Sequence, residues 1–322
     1  MPKSVRVHAY GGPEALIFED VAIPELRSGE VLLRQHAIGV NFIDIYQRTG
    51  LYKLPSFPAT IGSEGAGEVI AVGPGVERFK VGDRAAYAGE VGGYAEIRSI
   101  PADRLVKLPD GIDYETAASM MLRGMTVRYL LRETYKVDSA TTLLFHAAAG
   151  GVGLIACQWA RALGATIIGT VSTDEKAELA KANGCTHVIN TMREDFVARV
   201  HELTDGRGCD VVYDSVGKDT FPSSLDCLKR KGLWVSFGNS SGPVPPFALT
   251  ALKGSLFATR PSLLAYTATT QDLEENAEDL FEMVLSQKIR ITTQHRYPLA
   301  QAADAHRDLE ARRTTGSVIL VA

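Results

Sequence analysis

Three styles of hydrophobic patterning follow one another along the chain. Up to about residue 100 the apolar positions form short runs at 5–9, 31–40, 65–72, 84–87 and 94–97, with Gly73, Pro74 and Gly75 among the breaks. Short, closely spaced strands punctuated by glycine predict a compact β-barrel rather than a parallel sheet. From Tyr114 the pattern changes: 115–131 has the Ala, Met and Leu content of a helix, and after Asp138 strand-like and helix-like stretches alternate. Strands are expected at 142–146, 166–171, 187–189, 211–214, 233–237 and 256–258, with helices at 154–163, 175–183, 194–203 and 220–228. Six strands separated by helices predict an α/β fold, a doubly wound parallel sheet with right-handed crossovers. Near the end, Leu273, Ala277, Leu280, Phe281, Val284 and Leu285 recur at helical spacing. A further helix at 299–312 and a closing strand at 318–321 follow; that strand needs a sheet to join, and the first segment is the candidate.

The passage from the first of the six strands into its helix carries chemistry. His146, Ala147, Ala148, Ala149, Gly150, Gly151, Val152 and Gly153 lead directly into Leu154. The spacing is G-x-G-x-x-G with Ala148 in the first glycine place, Gly150 where backbone approaches phosphate, and Gly153 where helix and strand pack closely. Such a turn aims unpaired N–H groups and the positive end of a helix at one point, which suits a pyrophosphate. The alternative is a tight strand-to-helix turn without a ligand. A dinucleotide held by Ala149, Gly150, Gly151, Val152 and Gly153 is the expectation. The next strand ends in Gly169, Thr170, Val171, Ser172 and Thr173, small and neutral where an NAD site usually places Asp or Glu. The Ser172 hydroxyl with the Lys176 cation fits a 2′-phosphate, so NADPH is favoured over NADH. Asp174 and Glu175 weigh against this unless they serve the helix N-terminus and point away, and Lys176 is otherwise a solvated surface lysine.

Composition narrows the partners. The chain has 322 residues, enough for two domains, with 45% hydrophobic and 22% charged residues, as in ordinary globular proteins. A formal charge of −4 and a pI near 6.0 provide no basic excess, so nucleic acid is not expected as a principal partner. No apolar run approaches the roughly 18 residues of a membrane span. The start, from Met1 to Val5, lacks the apolar core of a secretory signal, so no membrane association and a cytoplasmic location are expected. Cys157, Cys185, Cys209 and Cys227 stand far apart without zinc-ligand spacing and read as buried reduced thiols. The histidines, His146 included, are scattered and read as structural, and no paired-carboxylate pattern argues for hydrolysis.

The run Ala148 to Gly153, followed by Gln158 and Arg161, resembles the signature of the zeta-crystallin type of quinone oxidoreductase, in the medium-chain dehydrogenase/reductase superfamily. The likeness extends along most of the chain through Gly11-Gly12-Pro13-Glu14, Val40-Asn41-Phe42-Ile43-Asp44, Val81-Gly82-Asp83-Arg84, Gly124-Met125-Thr126, Asp214-Ser215-Val216-Gly217, Phe237-Gly238-Asn239 and Thr259-Arg260-Pro261. The resemblance implies a GroES-like β-barrel domain built from both chain ends, 1–122 and 265–322, around an NADP-binding Rossmann domain at 123–264. Zinc members of the superfamily carry a ligand cysteine where this chain has Asn41, a Gly-His-Glu where it has Gly62-Ser63-Glu64, and a four-cysteine lobe with no counterpart here. Without thiolate or imidazole ligands no metal site is expected, and alcohol oxidation through zinc gives way to an acceptor that needs little polarisation, such as a quinone or an activated alkene.

By the same resemblance Asn41 and Tyr46 line an interdomain cleft beside the nicotinamide, with Asp44 orienting either. The Asn41 amide suits cofactor or an acceptor oxygen, and the Tyr46 phenol can donate as negative charge develops; the plainer alternative is a polar loop with Tyr46 as its wall. Thr126, Ser215, Arg260 and Arg312 match family positions near the cofactor, against helix packing for Thr126 and exposed surface for the arginines. Phe237, Gly238 and Asn239 end a parallel strand, the edge where open sheets bind ligands, although Phe237 also suits a core. After Asn190 this chain has Thr191 and Met192 where relatives place a tyrosine at the adenosine end, leaving Met192 as an apolar face and Arg193 as a second cation. The resulting expectation is an NADPH-dependent, zinc-independent quinone reductase that forms a homodimer through the edge strand at 256–258. The alternatives are an NADPH-dependent 2-alkenal or enone reductase and a crystallin-like NADPH-binding protein with little turnover.

Overall fold

A computed structural model describes residues 1–322, which fall into two units. Unit 1 comprises Met1–Met125, Tyr266–Leu285 and Ile291–Ala322, and unit 2 comprises Thr126–Ala265 and Ser286–Arg290.

The chain opens with β1 (Lys3–Val7), β2 (Leu16–Asp20), β3 (Glu30–Gly39), α1 (Phe42–Thr49), β4 (Ala59–Thr60), β5 (Glu64–Val72), β6 (Arg84–Ala88), β7 (Ile97–Pro101) and β8 (Val106–Lys107). Strand β3 organises the unit, because it pairs antiparallel with both β5 and β7. Alternate side chains of a strand point to opposite faces, and Val31 and Leu33 thereby reach one core with Val69, Phe79, Tyr87, Ile100 and Leu105. The strand expected at 94–97 is not formed as such. Tyr94 to Glu96 make a bend with a single bridge, Ser4 to Ala95, and the ladder starts at Ile97. The Gln35 side chain takes the carbonyls of Gly93 and Ala95 in place of a neighbouring strand. The short strands β2, β4 and β8 carry too little alternation to be read from the sequence; β2 leaves Ile17 and Phe18 exposed at a sheet edge.

After α2 (Tyr114–Tyr129) and a π turn at Leu130–Thr134, unit 2 alternates regularly. Its elements are β9 (Thr142–Phe145), α3 (Gly151–Ala162), β10 (Thr166–Val171), α4 (Asp174–Ala182), β11 (His187–Asn190), α5 (Phe196–Leu203), β12 (Cys209–Asp214), α6 (Ser223–Asp226), β13 (Leu228–Ser236), β14 (Phe257–Thr259) and α7 (Leu263–Tyr266). The six strands pair in parallel in the order β11-β10-β9-β12-β13-β14. Leu143, Leu144, Ile167, Ile168, Val211 and Val212 are fully buried, as continuous apolar runs require in a sheet covered on both faces. The strand order reverses between β9 and β12, so the carboxyl ends of these two strands flank the crevice where such sheets bind ligands. The helix expected at 220–228 shrinks to α6, because Leu228 already pairs with Cys209 at the start of β13. Likewise β13 stops at Ser236, and Phe237 lies just beyond it.

The chain then returns to unit 1 with α8 (Thr270–Leu285), β15 (Thr293–Pro298), α9 (Ala302–Glu310) and β16 (Ser317–Val321). α8 buries Leu273, Ala277, Leu280 and Phe281, as its spacing predicts. β16 pairs antiparallel with β3, so the closing strand does join the sheet of the first segment. β15 was not legible, since its sequence Thr-Gln-His-Arg-Tyr-Pro is polar and largely half-exposed. The helix expected at 299–312 starts as a 3-10 turn at Leu299–Gln301 and ends with α9. A second core joins both ends of the chain through Val5, Val7, Ile38, Val40, Ile61, Leu299, Val318 and Leu320. No helix is long and apolar enough to cross a membrane.

Candidate functional site

In unit 2 the glycine-rich turn is built from backbone. Beyond β9, His146 N donates to Tyr213 O at 3.0 Å and Ala148 N to Thr170 O at 3.0 Å, so both neighbouring strands hold the turn. Ala147 adopts φ 56°, and Gly150 N closes back on Ala147 O at 2.9 Å. α3 has Gly150 as its N-cap, with no side-chain cap and no acidic residue in the first turn. The leading N–H groups of a helix have no acceptor within it, and here the protein supplies no negative charge to them. That arrangement suits an anion. The two glycines differ in their reasons. A Cβ on Gly153 would stand 2.5 Å from Ala147 O and 2.6 Å from Ala148 O, whereas one on Gly150 would meet only Ala147 O, at 3.2 Å.

Around this turn stand the other expected residues of unit 2. Thr173 caps α4, accepting from Lys176 N at 3.2 Å, and Ser172 and Lys176 are both half-buried. Asp174 binds Arg193 at 2.7 Å and accepts from Asn190 Nδ2 at 2.8 Å, so its charge is neutralised by a neighbour. Glu175 is held below the usual carboxylate range first by a backbone N–H at the helix start. Arg193 is thus engaged with Asp174, and Met192 is 75% exposed. Asp214, fully buried, accepts from Val216 N at 2.9 Å and Gly217 N at 3.0 Å and so shapes the turn that carries half-buried Ser215.

Past β13, the Asn239 amide is oriented with its oxygen accepting from Arg260 Nη2 at 2.9 Å and its nitrogen donating to Gly238 O at 3.0 Å. Arg260 Nη1 also donates to Ser236 O at 3.3 Å. Phe237 packs on Phe145, ring centroids 5.7 Å apart, which brings the ends of β9 and β13 together. Thr126 lies half-buried in α2. His146 is a buried tie: its ring nitrogens lie 3.0 Å from Thr170 Oγ1 and 3.0 Å from Ser224 Oγ, and burial pushes its pKa down.

Unit 1 gathers Asn41, Asp44 and Tyr46 on α1. Asn41 is the N-cap, and its backbone N–H donates to Asp44 Oδ2 at 2.8 Å, one half of a capping box. Asn41 Nδ2 donates to Glu64 Oε2 at 2.8 Å, while Glu64 Oε1 accepts from Leu122 N at 2.8 Å. Arg123, also buried, donates to Val40 O at 2.6 Å. Burial pushes the Glu64 carboxyl up and the Arg123 guanidinium down, and each charge partly offsets the other's shift. Asp44 is raised to about 7, chiefly by burial, with the Asn41 N–H and the Tyr94 hydroxyl pulling the other way. Tyr46 is buried and meets Tyr52 edge-on at 5.3 Å. Arg312 is not gathered into this cluster; it is exposed, at φ 57° in the turn after α9.

Glu64 follows Gly62-Ser63 and is recoverable from that triplet, whereas Arg123 and Tyr94 carry no signal in the sequence because they meet Val40 and Asp44 only in the fold. The donor set does not fit zinc. Ser63 faces Gln47 Nε2 at 3.2 Å, and the Glu64 oxygens are taken by Asn41 and Leu122. An amide, a hydroxyl and a committed carboxylate replace the thiolates and imidazoles such a site needs, and no group of three His, Cys, Asp or Glu stands together elsewhere.

Residues 27–110 match the alcohol dehydrogenase GroES-like domain and residues 151–283 match the family described as zinc-binding dehydrogenase. A quinone oxidoreductase of Pseudomonas aeruginosa is 54% identical over 324 residues, covering all of both chains. A solved Escherichia coli quinone oxidoreductase complexed with NADPH superposes with a TM-score of 0.98 at 48% identity, over 99% of this chain and all of the other. A 2-haloacrylate reductase of Burkholderia is 43% identical over 98% of this chain and 97% of its own.

Proposed function

The chain belongs to the quinone oxidoreductase family of medium-chain dehydrogenases, and from that premise we propose that it is an NADPH-dependent, zinc-independent reductase of quinones. The observation that carries this reading is the Asn41 cluster, where an amide bonded to Glu64 stands in place of metal ligands. With no Lewis acid to polarise a carbonyl, the suitable acceptor is one that already accepts electrons readily.

NADPH fits the residues of unit 2. The uncapped start of α3 would receive the pyrophosphate, with Ala149 to Gly153 forming the cradle. Ser172 and Lys176 would take the 2′-phosphate, helped by the neutralisation of Asp174 by Arg193. Ser215, Phe237, Gly238, Asn239 and Arg260 cluster at the carboxyl ends of β12 to β14 and would line the path toward the nicotinamide, with Thr126 and Arg312 as further cofactor contacts on the family likeness alone. When bound, NADPH supplies the reducing equivalents. In unit 1, Asn41 and Tyr46 would orient cofactor or quinone, and the Tyr46 phenol can donate a hydrogen bond to an oxygen as it gains negative charge. Asp44 holds the backbone of Asn41.

Turnover tests the reading: NADPH oxidation with a panel of quinones, enals and 2-haloacrylate, with and without chelator. Quinone turnover that persists in chelator is expected; no oxidation with any acceptor would overturn the enzyme reading. Reduction of enals or 2-haloacrylate without quinones would favour the second reading, an alkene reductase, which the similarity to the 2-haloacrylate reductase supports. A homodimer is supported by β14, the edge strand of its sheet, where Phe257 is 61% exposed. Four buried free cysteines fit a reducing compartment such as the cytoplasm.

A further inference from the structure

Four buried side chains from distant parts of unit 1 close a loop of hydrogen bonds against α1. Arg48, 1% exposed, donates through Nη2 to Glu310 Oε1 at 2.7 Å and through Nε to Gly11 O at 3.1 Å, and its Nη1 lies 3.1 Å from His306 Nδ1. A guanidinium has no acceptor, so Nδ1 must accept, and the neutral imidazole then carries its proton on Nε2. That Nε2 lies 2.9 Å from the Tyr94 hydroxyl and donates to it. Tyr94 in turn sends its own proton to Asp44 Oδ2, at 3.1 Å. The same oxygen accepts from Asn41 N at 2.8 Å. Each direction follows from the one before it, and the permanent charge of Arg48 sets the first. Asp44 and Arg48 stand four residues apart on one helix face, so the chain leaves α1 at Arg48, crosses α9 and the bend before β7, and returns at Asp44.

We propose that Tyr94 and His306 are positioning residues for the reaction: through this one-way chain they favour the ionised form of Asp44 inside unit 1, and ionised Asp44 holds the Asn41 end of α1 in its working geometry. The inference rests on the reading of Asn41 as a site residue. A carboxylate accepts strongly from both donors and is favoured at a helix N-terminus, whereas a protonated acid holds them weakly. Asp44 has few other supporters. Its Oδ1 has no protein donor, and Gln47 Oε1, one turn further along α1, has none either. Of the groups facing it, Glu64 on β5 opposes its charge and Arg123 on α2 favours it, while Tyr87 on β6 senses it at longer range. His306 does not reverse the chain near neutral pH, because burial and then Arg48 push it down to about 3.

The pH dependence of kcat/KM tests this. In the wild type, kcat/KM should fall on the acid side as Asp44 takes up its proton. Tyr94→Phe removes a donor to the charged form, so the limb should move upward by about one pH unit, and activity should recover at higher pH. Recovery at high pH separates positioning from misfolding. NMR of the intact protein gives a readout independent of turnover: the His306 nitrogens should report the Nε2–H tautomer, and the Asp44 carboxyl titration should shift with the limb. An unmoved limb and titration in Tyr94→Phe, or a His306 proton on Nδ1, would overturn the proposal. A wild type inactive with every acceptor but with the expected tautomer and titration shift would remove the reductase reading and leave the chain standing.

Discussion

The two glycines of the α3 turn allow stability and cofactor binding to be perturbed separately. Gly153→Ala would force a methyl group to 2.5–2.6 Å from the Ala147 and Ala148 carbonyls, backbone atoms with little room to give, since Ala147 O accepts from Gly150 N and Ala148 is tied to β10 by its own N–H on Thr170 O. Ordinary contact begins nearly 1 Å farther out, so helix and strand must separate. Overpacking of this kind costs about 1–3 kcal/mol, offset by up to about 1 kcal/mol of helix propensity. The net loss should lower the melting temperature by about 2–8 °C, measured by thermal unfolding without cofactor. Gly150→Ala, by contrast, meets only Ala147 O at 3.2 Å, from a backbone at φ −77° that alanine adopts freely. Its stability should change by less than about 1 kcal/mol. The methyl would nevertheless stand where phosphate oxygens must approach the backbone, and NADPH affinity by calorimetric titration should weaken at least about tenfold, or about 1.4 kcal/mol. A Gly150→Ala protein that binds NADPH as the wild type does would refute the phosphate assignment. Equal destabilisation by both substitutions would refute the division of roles.

Lys176→Ala should weaken NADPH binding by about tenfold while leaving NADH binding nearly unchanged, since only the former carries the 2′-phosphate; equal effects on both would remove the basis for cofactor preference. If the proposed dimer forms through the exposed edge strand, the wild type should sediment as a dimer and Phe257→Lys should shift it toward monomer; a monomeric wild type, or a dimer unchanged by the substitution, would overturn that assignment. Stability against pH carries two opposing contributions in unit 1. His306, pushed down to about 3 by burial and Arg48, contributes stability that is present above its unfolded value of about 6.5 and is lost as pH falls toward its folded one. Asp44, raised to about 7 by burial, contributes stability that is full below about 3.9 and is lost as pH rises through its folded value. Asp44→Asn removes the second arm, so its denaturant midpoint should rise more steeply between about pH 4 and 7 than that of the wild type; parallel profiles would contradict the placement of Asp44.

What the sequence by itself determined is local or periodic. The strand, glycine turn and helix from Thr142 onward were readable because a phosphate-binding turn needs fixed residue types at fixed spacing, and the parallel strands because burial on both faces demands continuous apolar runs. Asn41 and Ser63 were legible as the absence of metal ligands for the same reason: ligand chemistry is a property of the side chain itself. Tertiary structure decided the rest. β15 is polar and exists because β16 offers it a ladder, the bend at Tyr94 replaces a strand because Gln35 takes its carbonyls, and the Asp174 charge is neutralised because Arg193 reaches it. The Arg48, His306, Tyr94 and Asp44 chain joins residues up to 258 positions apart. No periodicity records such a meeting, since hydrogen bonds between distant side chains depend on where the backbone has already been brought by the packing of other residues.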